Sequence, residues 1–157
     1  MKRIMRCLAL VALAVFTSAS FAQQPTPAQS LTSAQQPTLT SVEVKFHTTT
    51  DSKHQQTKLD VYVETSDGQE VAKSQGNGGR WNNHSTHTVK LRAEGSPTKG
   101  EVANGRILLT IHPQRWNKWS LNYKVTLKFS NGTFLTREFH GCVLSNHDPA
   151  RADSLKG

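Results

Sequence analysis

Cysteine is almost absent from this chain, with two among 157 residues. Cys7 lies in an N-terminal segment whose layout predicts its removal, which leaves Cys142 alone. A single thiol closes no internal disulfide, so the folded part must be held by its own core. Cys142 follows Gly141 and precedes Val143 and Leu144 in an apolar strand pattern. It reads as a small buried hydrophobe, and nothing beside it supplies the low-pKa setting of a nucleophile. Long apolar runs are missing too: Cys7 to Phe16 falls well short of the ~20 residues that span a bilayer. No convincing helical stripe occurs. Nor is there a Gly-x-Ser-x-Gly elbow, a His-Glu-x-x-His motif or a close carboxylate pair, so the chain is not expected to be an enzyme.

What is present begins at the N-terminus. Lys2, Arg3 and Arg6 form a basic start, Cys7 to Phe16 an apolar stretch, and Ser20-Phe21-Ala22 a small-residue cleavage site. That layout predicts a signal peptide over residues 1–22, with Gln23 as the mature N-terminus, and a protein exported to the periplasm or beyond the cell. The short signal has a bacterial look. Its removal takes three of the 19 basic residues and none of the 11 acidic ones, so the formal charge falls from +8 to +5. The remaining cations are scattered, with no block of five or six, which suits a solvated surface or attraction to an anionic one. An exported chain whose charge is not concentrated in one element is not expected to bind nucleic acid. Residues 23–40 carry no charge, three prolines and only Leu31 and Leu39 to bury, and read as a flexible linker.

From Ser41 the apolar period becomes two. Val42, Val44 and Phe46 alternate with Glu43 and Lys45, then Leu59, Val61 and Val63 with their polar neighbours. Val89 and Leu91, then Ile107, Leu109 and Ile111, then Leu121, Tyr123, Val125, Leu127 and Phe129 follow the same rule. Ser66-Asp67-Gly68 is a turn signal, and Asn131-Gly132 is the strongest hairpin signal in the chain. The return strand after Thr133 alternates imperfectly, which predicts a bulge near Arg137 or His140. Seven to eight short strands make an all-β, antiparallel β-sandwich over residues 41–146, followed by a polar, frayed tail at 147–157.

Thr48-Thr49-Thr50-Asp51 followed by Gln56-Thr57-Lys58-Leu59-Asp60-Val61-Tyr62-Val63 resembles the opening of a PLAT/LH2 domain. Trp119-Ser120-Leu121 and Phe139-His140-Gly141-Cys142-Val143-Leu144 are similar to that family's later strands, in the same order. The resemblance implies a C2-like sandwich whose loops contact lipid surfaces or protein partners, in some members with calcium. Calcium takes several oxygen ligands. The first loop offers Asp51 alone, with Asp60 and Asp67 further on, and no cofactor is expected.

Seven histidines invite a metal. His84 and His87 would point to opposite faces of a strand, and no Cys or carboxylate joins any histidine at ligand spacing, so no metal site is expected. The tryptophans say more. Trp81 sits in a Gly-rich loop, and Trp116 lies between Arg115 and Lys118 in the segment from Pro113 to Trp119. Indoles beside cations in loops suit an interface that is apolar in the middle and wet at its edge. Trp81, Arg115, Trp116 and Lys118 are therefore the expected contacts of a non-catalytic module with a membrane surface or protein partner. A carbohydrate-binding sandwich, with Trp81, Trp116 and Tyr62 stacking on sugar rings, is the alternative, and a structural envelope protein a third.

Overall fold

The computed structural model describes residues 36–157. The expected signal peptide and residues 23–35 of the expected linker lie outside the described residues. Eight strands follow one another, interrupted by one short helix. They are β1 (Leu39–Thr48), β2 (Lys58–Glu64), β3 (Glu70–Asn77), β4 (Thr86–Ala93), α1 (Lys99–Ala103), β5 (Arg106–His112), β6 (Lys118–Phe129), β7 (Phe134–Ser145) and β8 (Ala150–Ser154). Every pairing is antiparallel, and the strand order is β7-β6-β1-β4-β3-β2-β5-β8. The fold is all-β and antiparallel, as the alternation predicts.

β4 pairs with β1 from Thr86 to Leu91 but meets β3 only through Ala93 and Arg92. This short junction lets the sheet fold over and enclose one core. Inward residues from every part of the curl are fully buried, among them Val44, Phe46, Val61, Leu109, Trp119 and Leu127. Where the two end strands approach, Arg137 Nε donates to Leu155 O at 2.9 Å, and the buried Tyr123 hydroxyl donates to Asp153.

The tail expected to fray is β8. It pairs with β5 from Arg106↔Ser154 to Thr110↔Ala150, and Leu155 beyond it is fully buried. Its inward side chains are Arg151 and Asp153, joined by a two-pronged contact of 2.5 and 2.8 Å. The linker boundary also moves: β1 begins at Leu39, which is buried, not at Ser41. β3 runs on to Asn77, into a stretch that reads as loop.

Helix α1 has no apolar stripe to announce it, and only Val102 on it is buried. Its signature is local: Glu101 N–H donates to Thr98 Oγ1 at 3.4 Å, and Thr98 N–H donates to Glu101 Oε2 at 2.7 Å, a reciprocal capping box. Gly105 then passes so close to β2 that a Cβ there would sit 1.9 Å from Glu64 O.

The Asn131-Gly132 hairpin forms between β6 and β7. Only Gly132 takes positive φ (+80°), while Asn131 Oδ1 accepts from Thr133 N–H at 3.1 Å. Gly132 N–H donates to Phe129 O at 2.9 Å, closing a type I-like turn with a left-handed glycine after it. The bulge falls where expected: Leu121 faces Cys142 and Tyr123 faces Phe139, so Asn122 alone spans His140 and Gly141.

Candidate functional site

Four connections gather at one end of the sheet: β1–β2, β3–β4, β5–β6 and the β7–β8 turn. Backbone groups tie them together. Thr49 N–H donates to Ser120 O at 2.8 Å, Ser120 N–H to Asp51 O at 3.1 Å and His84 N–H to Thr48 O at 2.9 Å. His84 holds φ at 59°, a left-handed conformation uncommon away from glycine, to make that bond. Asn117 is the hub of the β5–β6 loop. Its Oδ1 accepts from His54 N–H at 3.0 Å, and its own N–H donates to Asn146 Oδ1 at 2.6 Å.

On this platform the four expected contact residues part company. Trp116 is 67% exposed, with its ring edge-on to His147 at 5.5 Å. Arg115 beside it is exposed, and its carbonyl accepts from Asn146 Nδ2 at 3.3 Å. Lys118 is exposed and pairs with Asp51 at 3.1 Å. Asp51 is held below the usual carboxylate range, first by the Ser120 hydroxyl donating at 2.5 Å and then by Lys118.

Trp81 is the correction. It is only 6% exposed, packed on Phe46 at 5.5 Å and edge-on to Trp119 at 5.2 Å. His87 stacks on it at 4.6 Å and Lys53 Nζ lies 4.9 Å from a ring centroid. The indole therefore plugs the end of the core and offers no face to a partner. Trp119, fully buried with Nε1 donating to Thr48 Oγ1 at 3.0 Å, does the same. Tyr62 lies on β2, where it accepts from Gln75 Nε2 at 2.7 Å, away from the Trp116 loop.

The residue that plugs this end from outside is a lysine. Lys53 is fully covered, and its Nζ donates to Thr57 O at 2.6 Å and Gly79 O at 2.7 Å. No described carboxylate pairs with it. Burial pushes its pKa down to about 8. His87 is also shifted down, first by burial and then by the Lys53 charge. Lysine in a polar loop gives no sequence sign of such burial.

Beside Trp116 lies an open recess of about 420 Å³, whose walls include Asp51, His54, Asn83, Asn117 and Lys118. Asn117 is 4% exposed, and its Nδ2 is buried with no hydrogen-bond partner. Among the described residues no group of three His, Cys, Asp or Glu side chains is arranged to hold a metal. Cys142 is buried, and burial pushes its thiol up from the usual range. No protein-family model matches this chain, and no curated protein is significantly similar to it.

Proposed function

We infer that this is an exported, non-catalytic binding module that touches a membrane surface through the loop end carrying Arg115, Trp116 and Lys118. The observation that carries the reading is the exposure of Trp116, 67%, on a loop whose backbone is locked by Asn117 and Asn146. A large indole left in water gains little from the fold, whereas an interface of lipid tails and headgroups accommodates its apolar ring and polar N–H together. Arg115, and Lys118 through what Asp51 leaves of its charge, supply attraction to anionic headgroups. The resemblance to PLAT/LH2 domains agrees with a loop-borne contact of this kind. The test is sedimentation with phosphatidylglycerol vesicles. Trp116→Ala should weaken binding severalfold, added salt should weaken it further, and the melting temperature should stay unchanged. Equal binding by wild type and variant would refute the reading.

One observation favours a sugar as the second reading. Asn117, whose buried Nδ2 has no partner among the described residues, belongs to the recess wall next to the exposed Trp116 ring, which sets an amide beside a stacking surface. Binding to a neutral oligosaccharide would persist in salt, where binding to anionic vesicles fades.

A further inference from the structure

The outer face of β4, β1, β6 and β7 carries a feature that the Trp116 reading does not use. Lys45 of β1 lies directly opposite Lys124 of β6, and like charges directly opposite on adjacent strands destabilise a sheet. Lys124 is offset by Glu138 at 2.8 Å, but Lys45 makes no salt bridge with any described residue. The two lysines line a groove of about 250 Å³ together with His47, Asn122, Glu138 and His140.

The donors here are positioned, not scattered. His47 Nδ1 is engaged by Thr86 Oγ1 at 3.3 Å, which leaves Nε2 without a described partner. Asn122 Oδ1 accepts from Gly141 N–H at 2.8 Å, which turns its Nδ2 into a spare donor. The extra residue at His140-Gly141, with Gly141 at φ +62°, re-aims the strand so that His140 joins the groove wall. Two lysines, an imidazole and an amide line one concavity, and with Glu138 paired to Lys124 a formal charge of +1 remains, carried by Lys45, which attracts compact negative charge. The volume is below the range of drug-sized pockets, which fits a small charged group.

We propose that this groove binds a phosphate group through Lys45, Lys124, His47 and Asn122. Glu138 is the internal competitor: its carboxylate occupies Lys124 and must yield when the anion arrives. That gives the site a two-sided signature. Removing a lysine weakens binding, and removing the carboxylate charge strengthens it. The phosphate could be free or belong to a lipid headgroup, and the chemistry at the groove is the same.

The test is amide and imidazole chemical shifts of the mature chain, recorded in one arm with inorganic phosphate and in the other with phosphatidylglycerol against phosphatidylcholine vesicles. Phosphate should shift His47, Asn122 and His140 with a Kd near ~1 mM, a small free energy suited to an open site. Response to phosphate identifies a free anion, and response to phosphatidylglycerol alone identifies a headgroup. In the responding arm Lys45→Gln should weaken binding about 10-fold or more, Glu138→Gln should tighten it, and Trp116→Ala should leave the phosphate response unchanged. Lys45 is exposed and faces another cation, so Lys45→Gln should fold at least as stably as wild type, and Lys124→Gln is a second route to the same loss. No response in either arm, or a response that Lys45→Gln and Glu138→Gln leave unaltered, overturns the proposal.

Discussion

Lys53 gives stability a pH dependence of unusual sign. In the unfolded chain its ammonium titrates near 10.5, and in the folded chain burial brings it to about 8. Below pH 8 both states are charged, and the folded state carries the cost of a buried cation. Between 8 and 10.5 the unfolded state binds more protons, so stability rises with pH across that window. At ~1.36 kcal/mol per pH unit the gap amounts to about 3 kcal/mol. This is a ceiling, because Lys53 lies just under the end loops and two carbonyls favour its charge. Tyr123 and Cys142 work the other way. Burial raises both above their usual values, so each lowers stability as pH climbs through its unfolded pKa.

The comparison with Lys53→Met isolates the lysine. Methionine keeps an apolar stem but leaves Thr57 O and Gly79 O without their donor, a cost of about 1–3 kcal/mol each that does not vary with pH. Urea unfolding followed by tryptophan fluorescence, from pH ~7 to ~10, should show wild type gaining up to ~3 kcal/mol relative to the variant. The His87 imidazole should titrate at higher pH in the variant, because the neighbouring positive charge is gone. Parallel stability curves for the two proteins would refute the buried, depressed lysine.

Trp81→Ala should cost about 3–5 kcal/mol in denaturant unfolding, as for a buried aromatic, whereas Trp116→Ala should cost almost nothing; equal losses would mean the two indoles share one environment. Gly105→Ala forces Glu64 O away from a Cβ and should destabilise by about 1–3 kcal/mol, measured as a lowered urea midpoint with an unchanged slope. Leu155→Ala should cost about 2–5 kcal/mol, and hydrogen exchange should show β8 amides protected in the wild type; rapid exchange there would mean the strand is frayed.

Strands were legible where their inward positions are large and apolar. β6 is the clearest: Leu121, Tyr123, Val125, Leu127 and Phe129 are all buried, and no other period fits them. β8 obeys the same geometry with a different vocabulary. Its inward residues are Arg151 and Asp153, which neutralise each other beneath the Tyr123 hydroxyl, so a polarity scan sees only a tail. Leu155 was its one apolar sign. Helix α1 was not legible as an apolar stripe, since only Val102 is buried; its one sequence sign is Thr98 and Glu101 at capping-box spacing.

The candidate sites were less legible because they are made by register, not by neighbours in sequence. Trp81 and Trp116 look alike as indoles in polar loops. What separates them is Lys53 and His87, brought to one ring by β1–β2 and β4. The cation of the outer groove that no described residue pairs has the same origin. Neither Lys45 nor Lys124 stands out in its own strand, where each alternates with apolar residues as any solvated position would. Only the β1–β6 pairing, which sets Phe46 against Tyr123 to build the core, also sets Lys45 against Lys124 on the opposite face. The pairing that buries the aromatics thus fixes the charge cluster, and shifting it by one residue to separate the lysines would turn the core outward.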